Sequence, residues 1–332
     1  VGGWRLTVGG SVHYGAMRLL AGDVGGTKTL LRCVEPSGAT SAEARYRSGD
    51  YKSFEALLRD FVQQVNGPVD AACFAVAGPV YGGEAEVTNV GWRIVEADLA
   101  SGFDIARVSL INDFYAVALG VPLLRDDDLL SLHAGTRDRT APMAVLGAGT
   151  GLGEALVAFH RGEHFVLPTE GGHADFAPQD DEQSRLFVHL QQKLGGHVSW
   201  ERVLSGMGLV NIFTFLGGEE LTPAEIARLA DGGDARAEQT FGMFVDAYGA
   251  EAGNMALRVL ARGGVFLAGG IAAKNRRRFT DGRFVEAFLR KGRFRDLVET
   301  IPVDLIVNEQ VGLIGAVEGA RRALESALPL FR

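Results

Sequence analysis

The first segment whose residues could do chemistry is Asp23-Val-Gly-Gly-Thr27, which stands between two apolar runs. This pattern predicts a strand, a tight turn and a returning strand. Glycines permit positive φ and bring backbone N–H groups close to a ligand, and such groups bind phosphate. Asp23 offers a hard oxygen to Mg²⁺, directly or through water, and Thr27 offers a hydroxyl to a phosphate oxygen. An ordinary hairpin turn is the alternative for this segment taken alone.

A second segment of the same type is Gly147-Ala-Gly-Thr-Gly-Leu-Gly153, which again lies between two strand-like runs. It is not a Rossmann fingerprint, because a strand rather than a helix follows it, and it lacks the Gly-Lys-Ser/Thr of a P-loop. Two such turns, far apart in the chain, predict two related half-domains that hold one polyphosphate between them.

Phosphoryl transfer to an alcohol needs a placed hydroxyl, a nearby base and neutralised phosphate charge. Asp113 is the candidate base, because it follows the predicted strand Val108–Ile111 and begins a helix. Strand ends of this kind open into the ligand crevice of α/β sheets. The alternative is that Asn112 and Asp113 only cap that helix.

Sugar recognition needs acceptors aimed at neighbouring hydroxyls, and one carboxylate accepts hydrogen bonds from two of them. Glu170 and His173 flank two glycines that let backbone approach a sugar ring, and Glu201 and Asn112 complete the set. Each has a structural alternative when taken alone, such as a packed histidine or a charge in the first turn of a helix. As a set they favour sugar binding.

In this order the motifs resemble those of bacterial-type glucokinases of the hexokinase–actin–Hsp70 superfamily. The resemblance runs from about Met17 to the C-terminus and includes two further segments, Glu201–Gly206 and Gly264–Ile271. It implies an α/β fold of two domains, actin/hexokinase-like (ribonuclease H-like), with a central cleft. The expected parts are an extension at 1–16, a small α/β domain at 17–123 to which a C-terminal helix within 308–332 returns, and a large α/β domain at 124–307.

The resemblance also implies an activity: ATP-dependent, Mg²⁺-requiring transfer of phosphate to the 6-hydroxyl of glucose, giving glucose 6-phosphate and ADP. Asp113 would be the catalytic base, and Asp23 would hold Mg²⁺, directly or through water. The expected substrate-binding residues are Asn112, Asp113, Glu170, His173 and Glu201. The expected ATP-binding residues are Gly22, Asp23, Val24, Gly25, Gly26, Thr27, Gly149, Thr150, Gly151, Gly269 and Gly270.

Alternatives within the same resemblance remain open. One is a kinase for another hexose or an N-acetyl-hexosamine, as in the ROK family; another is a sugar-sensing regulator. The structural zinc of ROK proteins is not expected, because no cysteine follows His173. The resemblance implies a homodimer.

Composition sets further limits. The 332 residues are 47% hydrophobic with a net charge of −8, which is typical of a soluble globular protein and argues against a nucleic-acid partner. No apolar run approaches the ~20 residues of a membrane span. The two cysteines, Cys33 and Cys73, lie in apolar runs, which predicts buried free thiols and fits a reducing cytoplasm.

Several elements are predicted from local patterns. Ser53 and Thr222 should begin helices as N-caps, and a long helix from Asp234 to Leu260 should be stopped by Gly263–Gly264. The predicted strands are Arg18–Gly22, Leu30–Glu35, Ala71–Ala77, Val108–Ile111, Ala144–Leu146, Ala155–Phe159, Val265–Ala268 and Val303–Val307.

Overall fold

The computed structural model describes residues 17–325, so the expected extension at 1–16 lies outside the described residues. The strands are β1 Leu19–Val24, β2 Lys28–Val34, β3 Thr40–Arg47, β4 Ala71–Val76, β5 Val80–Tyr81, β6 Glu84–Val87, β7 Trp92–Val95, β8 Arg107–Asn112, β9 Leu129–His133, β10 Met143–Ala148, β11 Leu152–His160, β12 Glu163–Thr169, β13 Gly264–Ala268 and β14 Val303–Ile306. The helices are α1 Phe54–Val62, α2 Glu96–Phe103, α3 Asp113–Gly120, α4 Asp181–Leu194, α5 Gly206–Phe215, α6 Pro223–Asp231, α7 Ala235–Val259, α8 Gly270–Lys274, α9 Arg276–Phe279, α10 Arg283–Leu289, α11 Arg295–Glu299 and α12 Val311–Glu325.

The chain divides into two compact units. The described part of unit 1 comprises residues 17–123 and 310–325, and unit 2 comprises residues 124–309. Unit 1 therefore includes α12, which comes from the far end of the chain.

The main sheet of unit 1 has the strand order β3-β2-β1-β4-β8. β1, β2 and β3 form an antiparallel meander, whereas β4 and β8 run parallel to β1. The small hairpin sheet β5-β6-β7 belongs to the same unit. Parallel pairing places the carboxyl ends of β1, β4 and β8 at one edge.

The sheet of unit 2 repeats this plan with the order β12-β11-β10-β13-β14-β9. β10, β11 and β12 form the meander, β13 and β14 run parallel to β10, and β9 adds an antiparallel strand. The two glycine segments occupy equivalent positions, each between the first and second strands of its antiparallel meander.

The core of unit 1 has a layer on each face of its sheet. β4 is buried throughout, and its residues alternate between the two layers. On one face α1 contributes an apolar stripe that includes Phe54 and Phe61. On the other face α12 packs with α3. The core of unit 2 is centred on α7, whose buried Tyr248 packs against Phe244 of the same helix, Phe279 of α9 and Phe284 of α10.

Several local predictions are confirmed. Ser53 accepts a hydrogen bond from the Ala56 N–H, and Thr222 forms a capping box with Glu225. Cys33 and Cys73 are buried free thiols. The prediction that Gly263–Gly264 stops the long helix is wrong. The helix does span the predicted range, with Asp234 as its N-cap and Leu260 as its C-cap, but Leu260 itself ends it by adopting the left-handed conformation (φ 50°).

Within residues 17–325, no helix combines the length and apolar character that a bilayer crossing requires.

Candidate active site

The first glycine segment joins β1 to β2 as a tight turn, closed by a hydrogen bond of 3.0 Å from the Gly25 N–H to the Lys28 carbonyl. Neither Gly25 nor Gly26 adopts the positive φ that glycine permits, so backbone conformation does not explain these glycines. Glycine is needed for space instead. A Cβ on Gly26 would lie 2.5 Å from Asn89 Cβ, and one on Gly22 would lie 2.7 Å from Leu31 Cδ2. Thr27 is exposed next to the turn.

Asn112 and Asp113 stand where β8 gives way to α3, and their roles differ. Asn112 is the N-cap, and its Oδ1 accepts from the N–H groups of Phe114 (2.9 Å) and Tyr115 (3.0 Å). Asp113 Oδ1 accepts from the Phe114 N–H (2.8 Å) and from Asn112 Nδ2 (3.0 Å). Asp113 Oδ2 accepts no hydrogen bond from residues 17–325. Asp113 is therefore oriented through one oxygen while the other can receive a proton.

Asp23 and Asp113 influence each other at the same edge of the sheet. The register Asp23↔Ala75 and Ala75↔Ile111 brings the ends of β1 and β8 level with each other on either side of β4. Burial raises the pKa of both carboxyls, and the charge of Asp23 adds to the rise in the pKa of Asp113. The hydrogen bonds from Phe114 and Asn112 act in the opposite direction on the pKa of Asp113. The site thus favours a cation or a proton near these two carboxyls.

These carboxyls suit Mg²⁺ that binds together with phosphates. Mg²⁺ retains several waters and takes one or two carboxylates plus phosphate oxygens. Asp23 and Asp113 offer that number of carboxylates at one sheet edge. No group of three or more His, Cys, Asp or Glu side chains suited to a metal occurs among residues 17–325. The donor set therefore fits a metal carried by a nucleotide better than one enclosed by protein ligands.

The second glycine segment joins β10 to β11 in unit 2. The Gly149 N–H donates to the Gly151 carbonyl (2.8 Å), and the Gly206 N–H at the start of α5 donates to the Gly149 carbonyl (2.8 Å). Thr150 is exposed at the tip of the turn. The parallel register Gly147↔Ala268 places Gly269 at the same sheet edge. Gly269 has φ 88°, and a Cβ there would overlap the Ala148 carbonyl, so glycine is required on both grounds.

A buried tyrosine, not recognised as a site residue from the sequence, joins these two strand ends. The Tyr248 hydroxyl accepts from the Ala148 N–H (3.1 Å) and lies 3.3 Å from the Leu146 carbonyl and 3.4 Å from the Ala268 carbonyl. Ala148 lies near the start of the second glycine segment, and Ala268 precedes Gly269–Gly270. One hydroxyl therefore fixes the bases of both segments. From the sequence, its place on the apolar face of α7 indicated only a buried core residue.

The predicted sugar residues of unit 2 lie on paired segments. Glu170 and His173 enclose a short 3₁₀ turn, Gly171–His173, and are 92% and 61% exposed. This turn continues into residues 174–176, which pair with 198–200 through the bonds Phe176 N–H to Val198 O and Trp200 N–H to Ala174 O, both 2.9 Å. Glu201 follows directly. The structure thus brings Glu201 close to the turn that carries Glu170 and His173.

Glu201 also has a role that the sequence did not suggest. Its Oε2 accepts from the Leu152 N–H (2.9 Å), at the end of the second glycine segment. A Cβ on Gly151 would overlap the same oxygen. Glu201 therefore supports the predicted phosphate loop as well as lying beside the predicted sugar residues.

Comparison with known proteins agrees with this architecture. A family model for glucokinase matches residues 20–323. The glucokinase of Trichormus variabilis is 42% identical, and the match covers 92% of this chain and 99% of the relative. Among solved structures, a glucokinase from an Antarctic psychrotroph gives a TM-score of 0.84 at 30% identity, covering 92% of this chain and 99% of the other. A ROK family glucokinase from Streptomyces griseus, in complex with glucose and AMPPNP, gives 0.61 at 20% identity, covering 92% and 99%.

Two sheets that share a five-strand arrangement, each with a glycine turn after the first strand of its meander, define the actin-like fold of sugar kinases. The fold predicted from the sequence is thereby confirmed. The chain belongs to the glucokinase family.

Proposed function

We propose that this chain is an ATP-dependent glucokinase that transfers phosphate to the 6-hydroxyl of glucose. The observation that carries the proposal is the arrangement at the end of β8. Asn112 caps α3, and Asp113 is held through Oδ1 with Oδ2 free of hydrogen bonds from the described residues. Because the cap is supplied by Asn112, Asp113 is available as a base. It accepts the hydroxyl proton as the sugar oxygen attacks the γ-phosphate.

The other proposed roles follow from the chemistry of each group. Glu170, His173, Glu201 and Asn112 bind sugar hydroxyls, which positions the attacking oxygen. Backbone N–H groups and hydroxyls of the glycine segments bind the nucleotide. Those residues are Gly22, Asp23, Val24, Gly25, Gly26, Thr27, Gly149, Thr150, Gly151, Gly269 and Gly270. Asp23 would hold Mg²⁺, directly or through water, and the ion would neutralise phosphate charge.

The test is a coupled assay with purified protein, a panel of hexoses and N-acetyl-hexosamines, and ATP, ADP or polyphosphate as donor, with and without Mg²⁺. We expect the highest kcat/KM for glucose with ATP and loss of activity without Mg²⁺. A higher kcat/KM for another sugar would replace glucose in the proposal. Sugar binding without any phosphoryl transfer would instead favour a sugar-sensing regulator.

The proposal also includes a homodimer, which rests on the family resemblance. It further includes a cytoplasmic location without nucleic-acid or membrane partners, which rests on the composition. Light scattering of the purified protein tests the oligomeric state. A mass equal to one chain at assay concentration would contradict the dimer.

A further inference from the structure

Two buried carboxyls in unit 2, outside the residues assigned above, interact electrostatically. Glu154 lies on β11 and Glu251 on α7, and both side chains are 0% exposed. Glu251 is well partnered: its Oε1 accepts from Arg258 Nη1 (2.6 Å), and its Oε2 accepts from Asn254 Nδ2 (2.8 Å). No donor among residues 17–325 hydrogen-bonds either oxygen of Glu154. Arg258 Nη1 is 4.0 Å from Glu154 Oε2.

Glu154 lies directly against the turn that carries the predicted sugar residues. A Cβ on Gly171 would overlap Glu154 Oε2, so this glycine lets the carboxyl contact the backbone of the turn. Thr169 pairs with Glu154 across the strands, donates its hydroxyl to the Glu154 carbonyl (2.9 Å) and accepts from the Gly171 N–H (3.1 Å). The turn between Glu170 and His173 is therefore held against residue 154, through its backbone carbonyl by way of Thr169 and through the close approach of its carboxyl to Gly171.

The charges around Glu154 disfavour its ionised form. The titratable groups that face it come from α7: Glu251, Arg258 and the Tyr248 hydroxyl. Lys291, which follows α10, interacts with Glu251 and donates to the Ala250 carbonyl and to Asn254 Oδ1 (2.7 Å each). Arg258 is bonded to Glu251, so an ionised Glu154 would be a second buried anion without a donor. Burial, with a further contribution from Glu251, raises the pKa of Glu154 to about 8, and Arg258 opposes the rise.

We propose that Glu154 is a positioning residue, held as a neutral carboxylic acid, that keeps the Gly171–His173 turn in the conformation that binds sugar. This inference rests on the proposed function, because it concerns the sugar site of that reaction. When Glu154 loses its proton, the buried carboxylate needs hydrogen bonds from water or closer contact with a cation. The carboxyl or the turn in contact with it then moves, and Glu170 and His173 lose their alignment.

The sign of the pH effect follows from the neutral form being the competent one. Sugar affinity is full below the pKa of Glu154 and falls as the pH rises through it. One pH unit above that pKa, about a tenth of the molecules carry the neutral acid, so the apparent KM for glucose rises about tenfold. Glu154→Gln supplies a neutral group of the same shape at every pH.

The experiment compares wild type and Glu154→Gln from about pH 7 to about pH 9. It measures KM for glucose, KM for ATP, glucose affinity by calorimetry and Tm. We expect glucose KM to rise about tenfold in wild type and to stay flat in Glu154→Gln, close to the wild-type value at about pH 7. The KM for ATP should show the same pH dependence in wild type and in Glu154→Gln. Tm of wild type should fall relative to the variant as the pH rises, because the neutral acid is favoured only in the folded state.

Three results would overturn the proposal: a flat glucose KM in wild type, an equal rise in both proteins, or loss of glucose binding by folded Glu154→Gln at about pH 7. An equal rise would point to Lys291, because burial lowers its pKa to about 8. Failure of the proposed function gives a different result, namely no sugar phosphorylation by wild type at any pH. The Tm comparison still tests the neutral acid in that case, and a pH-independent Tm difference would refute it.

Discussion

At the residue scale, capping and proposed catalysis are divided between two neighbouring side chains. Asn112 accepts from two N–H groups at the start of α3, and its amide N–H orients Asp113. The same sequence pattern is compatible with a simple cap, and only the hydrogen bonds separate the two roles. Partial burial and the charge of Asp23 favour proton uptake by Asp113, as a base that receives the hydroxyl proton requires.

Replacing Asp113 by Asn is expected to reduce kcat by about 10²–10⁴ while leaving glucose affinity largely intact. The amide preserves the shape but cannot accept the proton, which moves only during the reaction. Turnover, calorimetric glucose affinity and Tm should be measured together. Asn112→Ala is the matched variant: it should lower the free energy of unfolding by about 1 kcal/mol through loss of the cap. If Asp113→Asn keeps more than about a tenth of wild-type turnover, Asp113 is not the base.

Glu170→Gln and Glu201→Gln should differ in which substrate they affect. Both should raise the KM for glucose about ten- to hundredfold, the size of a lost charged hydrogen bond. Glu201 also accepts from the Leu152 N–H beside the second glycine segment, whereas Glu170 has no such contact with that segment. We therefore expect Glu201→Gln alone to raise the KM for ATP as well. Equal effects of Glu170→Gln on both substrates would argue against a direct role in sugar binding.

At the element scale, sequence patterns predicted the buried strands but not the exposed ones. Continuous apolar runs predicted β4 and β13 to within one residue at each end. β3, in contrast, is an edge strand whose inward face carries only Ala42, Ala44 and Tyr46, all partly buried, among polar and charged residues, so its apolar signal is weak. The end of α7 near Leu260 was predicted, but the residue that stops the helix was not: Leu260, a non-glycine residue, adopts the left-handed conformation because of tertiary context.

The Tyr248 hydroxyl gives α7 a predicted role in nucleotide binding. It contacts the ends of β10 and β13, from which the second glycine segment and Gly269–Gly270 extend. Tyr248→Phe keeps the ring but leaves the Ala148 N–H without its partner, so the free energy of unfolding should fall by about 1–3 kcal/mol. We expect the KM for ATP to rise severalfold with the KM for glucose unchanged. A lower Tm with an unchanged KM for ATP would show that Tyr248 contributes to stability but not to nucleotide binding.

At the scale of the whole molecule, the shared strand order of the two units explains why both glycine segments take the same position. The two glycine turns predicted two related half-domains, but composition and periodicity cannot reveal the shared strand order, because the repeat lies in topology rather than in a sequence period. The return of α12 to unit 1 was expected from the family resemblance, since no local pattern encodes a contact across almost the entire chain. The buried carboxyls Glu154 and Glu251 were missed for the same reason: they come from elements distant in sequence.

The packing of α12 on α3 gives a test of how strongly the end of the chain holds unit 1 together. A Cβ on Gly315 of α12 would overlap the Ala116 carbonyl of α3, and backbone cannot yield as a flexible side chain can. Gly315→Ala should therefore destabilise by about 1–3 kcal/mol, although alanine favours helices. The matched control is Gly102→Ala in α2, where a Cβ meets no atom within 4 Å; it should stabilise by about 0.4–1 kcal/mol. Denaturant unfolding of both variants measures these differences. Because α3 begins at Asp113, separation of the two helices should also lower kcat. If Gly315→Ala is as stable as wild type, the two helices pack less closely than the glycine contact implies.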